Sequence, residues 1–142
     1  MAEGDITSST VMLLIAAGRE LQRRTEAALA EIDLTMRHLG ALGHISQNPE
    51  VSYSDLARRA GITTQSMRAT VLMLEEQGSV RRTLAGHGHP ARLDLTDRGR
   101  DLLAKARVVV AELDREFLAA LEPGQPEALR GAVIRTLTNV PR

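Results

Sequence analysis

The run Val51 to Leu95, VSYSDLARRAGITTQSMRATVLMLEEQGSVRRTLAGHGHPARLDL, limits the fold more than any other part of this chain. It opens on a short helix signal, about Tyr53 to Ala60. Ser52 stands before it and Asp55 three residues on, which is capping-box spacing, although Glu or Gln is the usual partner. Gly61 supplies a turn, because glycine reaches left-handed dihedrals without a Cβ clash. Thr63 can cap a longer helix from Thr64 to about Gln77, and Gly78 stops it. Val80 to Leu84 and Ala91 to Leu95 read as the strands of a hairpin. Its link, Gly86 to Pro90, is too long for a tight turn and should protrude. Leu56, Ala57, Ala60, Ile62, Met67, Val71 and Leu74 fall where two helices joined by such a turn would meet. The order is helix, turn, helix, hairpin, and it points to DNA rather than to a reaction, since the second helix of such a pair enters the major groove near its N-terminus.

On that reading the outer side of the second helix offers Thr64, Gln65 and Arg68. Gln pairs with the adenine edge, and Arg with guanine or a phosphate. Ser54, Thr63 and Ser66 are short hydroxyl donors suited to phosphates. Arg81, Arg82 and Arg92 lie on the hairpin strands, with His87 and His89 at the tip. The plain alternative is an ordinary surface helix, since many carry Gln, Ser and Arg. Formal net charge is zero, which does not suggest a nucleic-acid partner by itself. The distribution says more. Residues 51–100 hold Arg58, Arg59, Arg68, Arg81, Arg82, Arg92, Arg98 and Arg100 against Asp55, Glu75, Glu76, Asp94 and Asp97, whereas the first fifty residues lean acidic.

A long helical pattern precedes this run, from about Thr10, with Val11, Leu14, Ile15, Leu21, Leu29 and Ile32 near helical spacing. Ser8, Ser9 and Thr10 are candidate caps, and Thr35 can cap a second helix from Met36 to about Ser46. After the hairpin, Thr96 caps a helix that can run to about Leu121. Glu122-Pro123-Gly124 breaks it, and a last helix covers about Pro126 to Thr138. Long amphipathic helices at both ends of a small chain either pack on the middle or build a dimer interface, and the second is expected. The only aromatic side chains are Tyr53 and Phe117. The core is therefore aliphatic, with Met36 and Met67 expected in it, and base stacking is not the means of binding. There is no cysteine, which removes disulfides, thiolate metal sites and thiol redox sensing. No apolar run approaches bilayer length and no signal pattern opens the chain, so a cytoplasmic protein without a membrane partner is expected.

Several stretches together carry a family likeness: AAGRELQRR (Ala16 to Arg24), DLT (Asp33 to Thr35), VSYSDLARRAGIT (Val51 to Thr63), LEEQGSV (Leu74 to Val80), LDLTDRGRDLL (Leu93 to Leu103) and LEPGQPEALRGAVIRTL near the end. In their order and spacing the chain resembles the MarR family of bacterial winged-helix transcriptional regulators. The resemblance implies a mostly α fold with a small β-hairpin wing (α+β), that is, a winged helix-turn-helix with long N- and C-terminal dimerisation helices. It divides the chain into an arm and dimerisation helix (1–33), a DNA-binding domain (34–100) and C-terminal dimerisation helices (101–142). It implies a homodimer on double-stranded DNA with a palindromic operator, Thr64 to Gln77 as recognition helix and Arg81 to Leu95 as wing. Many members are repressors released by small aromatic acids, drugs or oxidants. The chain departs from the family pattern in places. His87 and His89 stand where wings usually carry an Asp and, two residues on, an Arg. Ala69 replaces a frequent second Arg, and Leu72 and Met73 replace charged residues. A neutral imidazole brings no charge to a narrow groove, so binding should strengthen below about pH 6.5 if these histidines face DNA.

Family effectors often occupy a cleft beside the dimerisation helices. The expected lining is Ile15, Arg19, Arg37, His38, Ala41 and Leu42, where either Arg could receive the carboxylate of a small aromatic or anionic effector. The alternative leaves both arginines solvated or in interface salt bridges. The pairs His87/His89 and His38/His44 do not supply the three or four ligands of a tight metal site, so no metal and no cofactor are expected. There is no phosphate loop and no nucleophile with a placed base, so no enzyme and no catalytic residue is read here. The rival reading is a winged-helix structural or protein-interaction module with weak or lost specific DNA binding.

Overall fold

The computed structural model describes residues 4–48, 50–83 and 92–139. Among these, a short 3-10 turn, Ile6–Ser8, leads into α1 (Thr10–Ala30), followed by α2 (Met36–Gln47), α3 (Tyr53–Ala60) and α4 (Thr64–Glu76). Strands β1 (Val80–Thr83) and β2 (Arg92–Leu95) come next, then α5 (Asp97–Leu118) and α6 (Gln125–Thr138). Each early helix starts on a hydroxyl. Ser9, Thr35, Ser52 and Thr63 accept from the backbone N–H groups of Met12, His38, Asp55 and Ser66, three residues on in each case. Gly61 closes α3 in the left-handed region, φ 68°. The Ile62 N–H bonds the Ala57 carbonyl at 3.0 Å, so α4 leaves at the turn where the sequence places it.

The chain divides into two units, Met1–Val109 and Val110–Arg142. In the first, one aliphatic core gathers Ala41, Leu42 and Ile45 of α2, Leu56 and Ala57 of α3, Met67, Val71 and Leu74 of α4, Val80, Leu93 and Leu95 of the hairpin, and Leu103 and Ala106 of α5. Leu29, near the end of α1, joins it. The hairpin is antiparallel, pairing Val80 with Leu95, Arg81 with Asp94, Arg82 with Leu93 and Thr83 with Arg92. The start of α5 is tied back to the end of α4. The Thr96 hydroxyl donates to the Gly78 carbonyl at 2.5 Å and accepts from the Gly99 N–H at 3.1 Å. Gly99 packs so closely on the Ser79 backbone that a Cβ there would lie 2.0 Å from the Ser79 carbonyl oxygen.

Three expectations change. Met36, first residue of α2, is 39% exposed and is not core. Helix α1 stops at Ala30, before Ile32, because Asp33 turns left-handed at φ 56° and the Leu34 N–H reaches back to the Leu29 carbonyl at 3.0 Å. Helix α5 ends at Leu118, short of Leu121, whose N–H bonds the Leu118 carbonyl at 3.0 Å in a tighter turn. The first half of α1 leaves Val11 to Ile15 exposed, Val11 at 66% and Leu14 at 50%. Within the second unit, α6 leaves Ile134 and Leu137 exposed, the latter at 70%.

Candidate nucleic-acid interface

Helix α4 buries Met67, Thr70, Val71 and Leu74. That leaves Thr64, Gln65, Arg68, Ala69, Leu72 and Met73 on its outer side, all exposed. The polar residues of this stripe lie in the N-terminal half, where a reading helix meets base edges. Ser54 is exposed on α3. Thr63 is exposed and caps α4. Its Oγ1 accepts from the Ser66 N–H at 3.1 Å and donates to Ser66 Oγ at 2.9 Å. Its hydroxyl is thus engaged in the cap, with the Ser66 hydroxyl directly beside it.

Arg82, expected as a DNA cation, lies by strand alternation on the same face of the hairpin as Val80. There its Nε and Nη2 bond Glu75 Oε1 and Oε2 at 2.9 and 3.3 Å. Its guanidinium carbon lies 5.4 Å from the centre of the Tyr53 ring, and Arg68 lies 5.4 Å from the same ring. Tyr53, Arg68, Ala69, Leu72 and Arg82 line a concavity of about 400 Å³. The Tyr53 hydroxyl is buried without a hydrogen-bond partner. Burial pushes its ionisation above the ordinary value of 10.0, and the nearby Arg82 charge opposes that shift.

The basic excess of residues 51–100 is thus partly neutralised within the fold. Arg58 pairs with Asp55, Arg82 with Glu75, Arg92 with Asp94 and Arg100 with Asp97. Arg59, Arg68, Arg81 and Arg98 have no acidic partner among the described residues. Arg81 stands on the outward face of the hairpin with Arg92 and Asp94, and the 3.3 Å Arg92–Asp94 pair reduces what Arg92 can bring to a phosphate. Arg59, exposed in the last turn of α3 and not singled out from the sequence, joins Arg68 and Arg81 as an uncompensated charge. His87 and His89 lie outside the described residues.

The residues of the expected effector lining differ in exposure. Ala41 and Leu42 are 0% exposed and belong to the core, so they have no surface to present. Ile15, Arg19 and Arg37 are exposed. His38 is buried with Nδ1 unpartnered, and burial, with Arg37 nearby, holds its imidazole below the ordinary 6.5. A cavity of about 430 Å³ elsewhere in the first unit is lined by Ile32, Asp33, Gln77, Ser79, Arg98, Asp101, Leu102 and Lys105, none of them among the expected residues.

Known proteins resemble this chain in sequence and in fold. Residues 32–89 match the model of the MarR family. Over 114 residues, 80% of this chain and 82% of the relative, the sequence is 36% identical to the HTH-type transcriptional repressor Rv2887 of Mycobacterium tuberculosis. The chain belongs to the MarR family. The part that matches the MarR model runs from the turn after α1 through α2, α3, α4 and β1. The crystal structure of Rv2887 in complex with DNA is similar to this fold with a TM-score of 0.77 at 32% identity, covering 91% of this chain and 98% of that one. The complex of Rv2887 with salicylic acid gives a TM-score of 0.75 at 31% identity, covering 91% of this chain and 96% of that one. The fold class is that of MarR proteins, mostly helical with a two-stranded wing.

Proposed function

We propose that this MarR-family chain is a sequence-specific, DNA-binding transcriptional repressor. It acts in the cytoplasm as a homodimer on a palindromic operator and is released by a small aromatic or anionic molecule. One observation carries the reading: the outer face of α4 offers Gln65 and an acid-free Arg68 on a helix-turn-helix whose relative was solved with DNA. Gln65 and Arg68 read base edges, with Thr64 beside them. Ser54, Ser66, Arg59, Arg81 and, more weakly, Arg92 hold phosphates. Residues 34–100 form the reader. Residues 1–33 and 101–142 join two copies, a role supported by the exposed apolar run Val11 to Ile15 and by Ile134 and Leu137. Effector release is supported by the relative's complex with salicylic acid. No described helix is long and apolar enough to cross a membrane.

A salt titration of duplex binding tests this. The logarithm of affinity should fall linearly with the logarithm of salt, with a slope of about −0.9 for each phosphate neutralised. One observation favours the rival protein-interaction module: Leu72 and Met73 are 50% and 47% exposed on the reading helix. That module would show weak DNA binding with no preferred sequence, and the titration together with a sequence preference separates the two.

A further inference from the structure

We propose that Tyr53 is the platform that positions Arg68 for the operator, and that Arg82 is a strut tying the wing to the reading helix rather than a phosphate cation. The inference rests on the DNA-binding reading above and deepens it. Tyr53 opens α3, and the guanidinium carbons of Arg68 from α4 and Arg82 from β1 lie at 5.4 Å from its ring centre. Two bare cations sharing one ring would repel each other. Glu75 removes that conflict by forking onto Arg82 at 2.9 and 3.3 Å, which leaves Arg68 as the uncompensated charge. The tyrosine oxygen is buried without a hydrogen bond of good geometry, although the Arg82 guanidinium stands beside it, and Arg68 meets the tyrosine over its ring. A guanidinium held over a ring face can keep N–H groups free for bidentate bonding. An exposed arginine otherwise gives up much of its rotamer freedom when it is fixed on a base. A side chain already leaning on Tyr53 gives up less. Glu75 is in the last turn of α4 and Arg68 in its first half, so the two contacts brace the helix at both ends, one to β1 and the other to α3.

The test uses the full-length protein and the duplex it prefers in a selection from random sequence. Tyr53→Phe keeps the ring and should bind as the wild type does. Tyr53→Leu should weaken preferred-site affinity by about 3- to 10-fold, the range of one exposed cation–π contact together with lost preorganisation. Its affinity for unrelated duplex and its salt slope should stay unchanged. Arg82→Ala should also leave the slope unchanged, while Glu75→Gln frees a cation and should steepen it by about 1. The chain has one tyrosine and no tryptophan, so emission excited in the tyrosine band reports this ring alone and should change in Arg68→Ala. Thermal melts of each variant identify any loss that is only unfolding. The inference is overturned if Tyr53→Leu binds its preferred site as the wild type does, if it loses preferred and unrelated DNA equally, if Phe fails to rescue, or if Arg82→Ala flattens the slope by about 1. A wild type with no sequence preference would remove the DNA reading and this inference with it. A normal wild-type preference with a silent Tyr53→Leu would remove this inference alone.

Discussion

The helix-turn-helix and the first half of α1 treat their apolar residues in opposite ways. From Val51 to Val80, Leu56, Ala57, Met67, Val71 and Leu74 disappear into a core that α2, the hairpin and the start of α5 complete within the same chain. From Val11 to Ile15, five consecutive apolar residues remain exposed on a helix that contributes only Leu29 to that core. The reader is complete in one copy, and the front of α1 is not. The reader also pairs most of its acids with arginines and leaves a few arginines uncompensated, so the charge that remains is placed rather than scattered. One copy suffices to shape the groove-facing surface, and on the dimer reading proposed above the exposed front of α1 is where a second copy would pack.

The largest expected effect strikes the unfinished part. Replacing both Leu13 and Leu14 with Glu should convert the dimer entirely to monomer, seen as a halved mass in sedimentation, while the melting of the reader core barely moves. A dimer that survives would break the comparison. Next comes the complete part. Gly99→Ala forces a Cβ to 2.0 Å from the Ser79 carbonyl, and backbone cannot yield as a side-chain tip can. A loss of about 3 kcal/mol in denaturant unfolding is expected. A loss within 0.5 kcal/mol would mean that α5 is not held where the Thr96 bonds place it. Arg68→Ala should lower preferred-site affinity by about 10- to 100-fold, the worth of one good bidentate pair, and leave the dimer intact; a gel shift with unchanged affinity would reassign the reader.

The smallest effect concerns pH. Burial, with Arg37 nearby, depresses the folded-state ionisation of His38 below 6.5, so its unfolded form binds the proton more readily. The contribution of neutral His38 to stability is complete above 6.5 and declines as pH falls toward the folded value, with a slope of at most about 1.4 kcal/mol per pH unit. His38→Gln should flatten that acid limb. An unchanged limb would shift the cause to other groups.

Much of the reader was legible because its signals are local. Ser52, Gly61 and Thr63 act on residues three to five positions away, and their caps and turn formed where the spacing put them. The candidate contacts were less legible, since they depend on direction and on partners from other elements. Arg82 looks like one more wing cation until the hairpin's pleat turns it inward to Glu75, although its position two residues after Val80 carried that hint. Thr63 looked like a free hydroxyl because capping and phosphate binding draw on the same residue type. Ala41 and Leu42 lie on the helix where the family resemblance puts an effector cleft, and their burial by packing of α2 is visible only in three dimensions. Gly99 gave one unused signal, a glycine inside an otherwise strong helical pattern. Its reason, contact with the Ser79 backbone, exists only in three dimensions.

The most direct test of the account is to select bound duplexes from a random pool, with wild type and Arg68→Ala run side by side. The account predicts that wild type enriches a palindrome whose half-sites lie about one helical turn apart, and that Arg68→Ala loses that enrichment while remaining dimeric. A wild type that enriches no sequence, or an Arg68→Ala that enriches the same palindrome equally well, would contradict it.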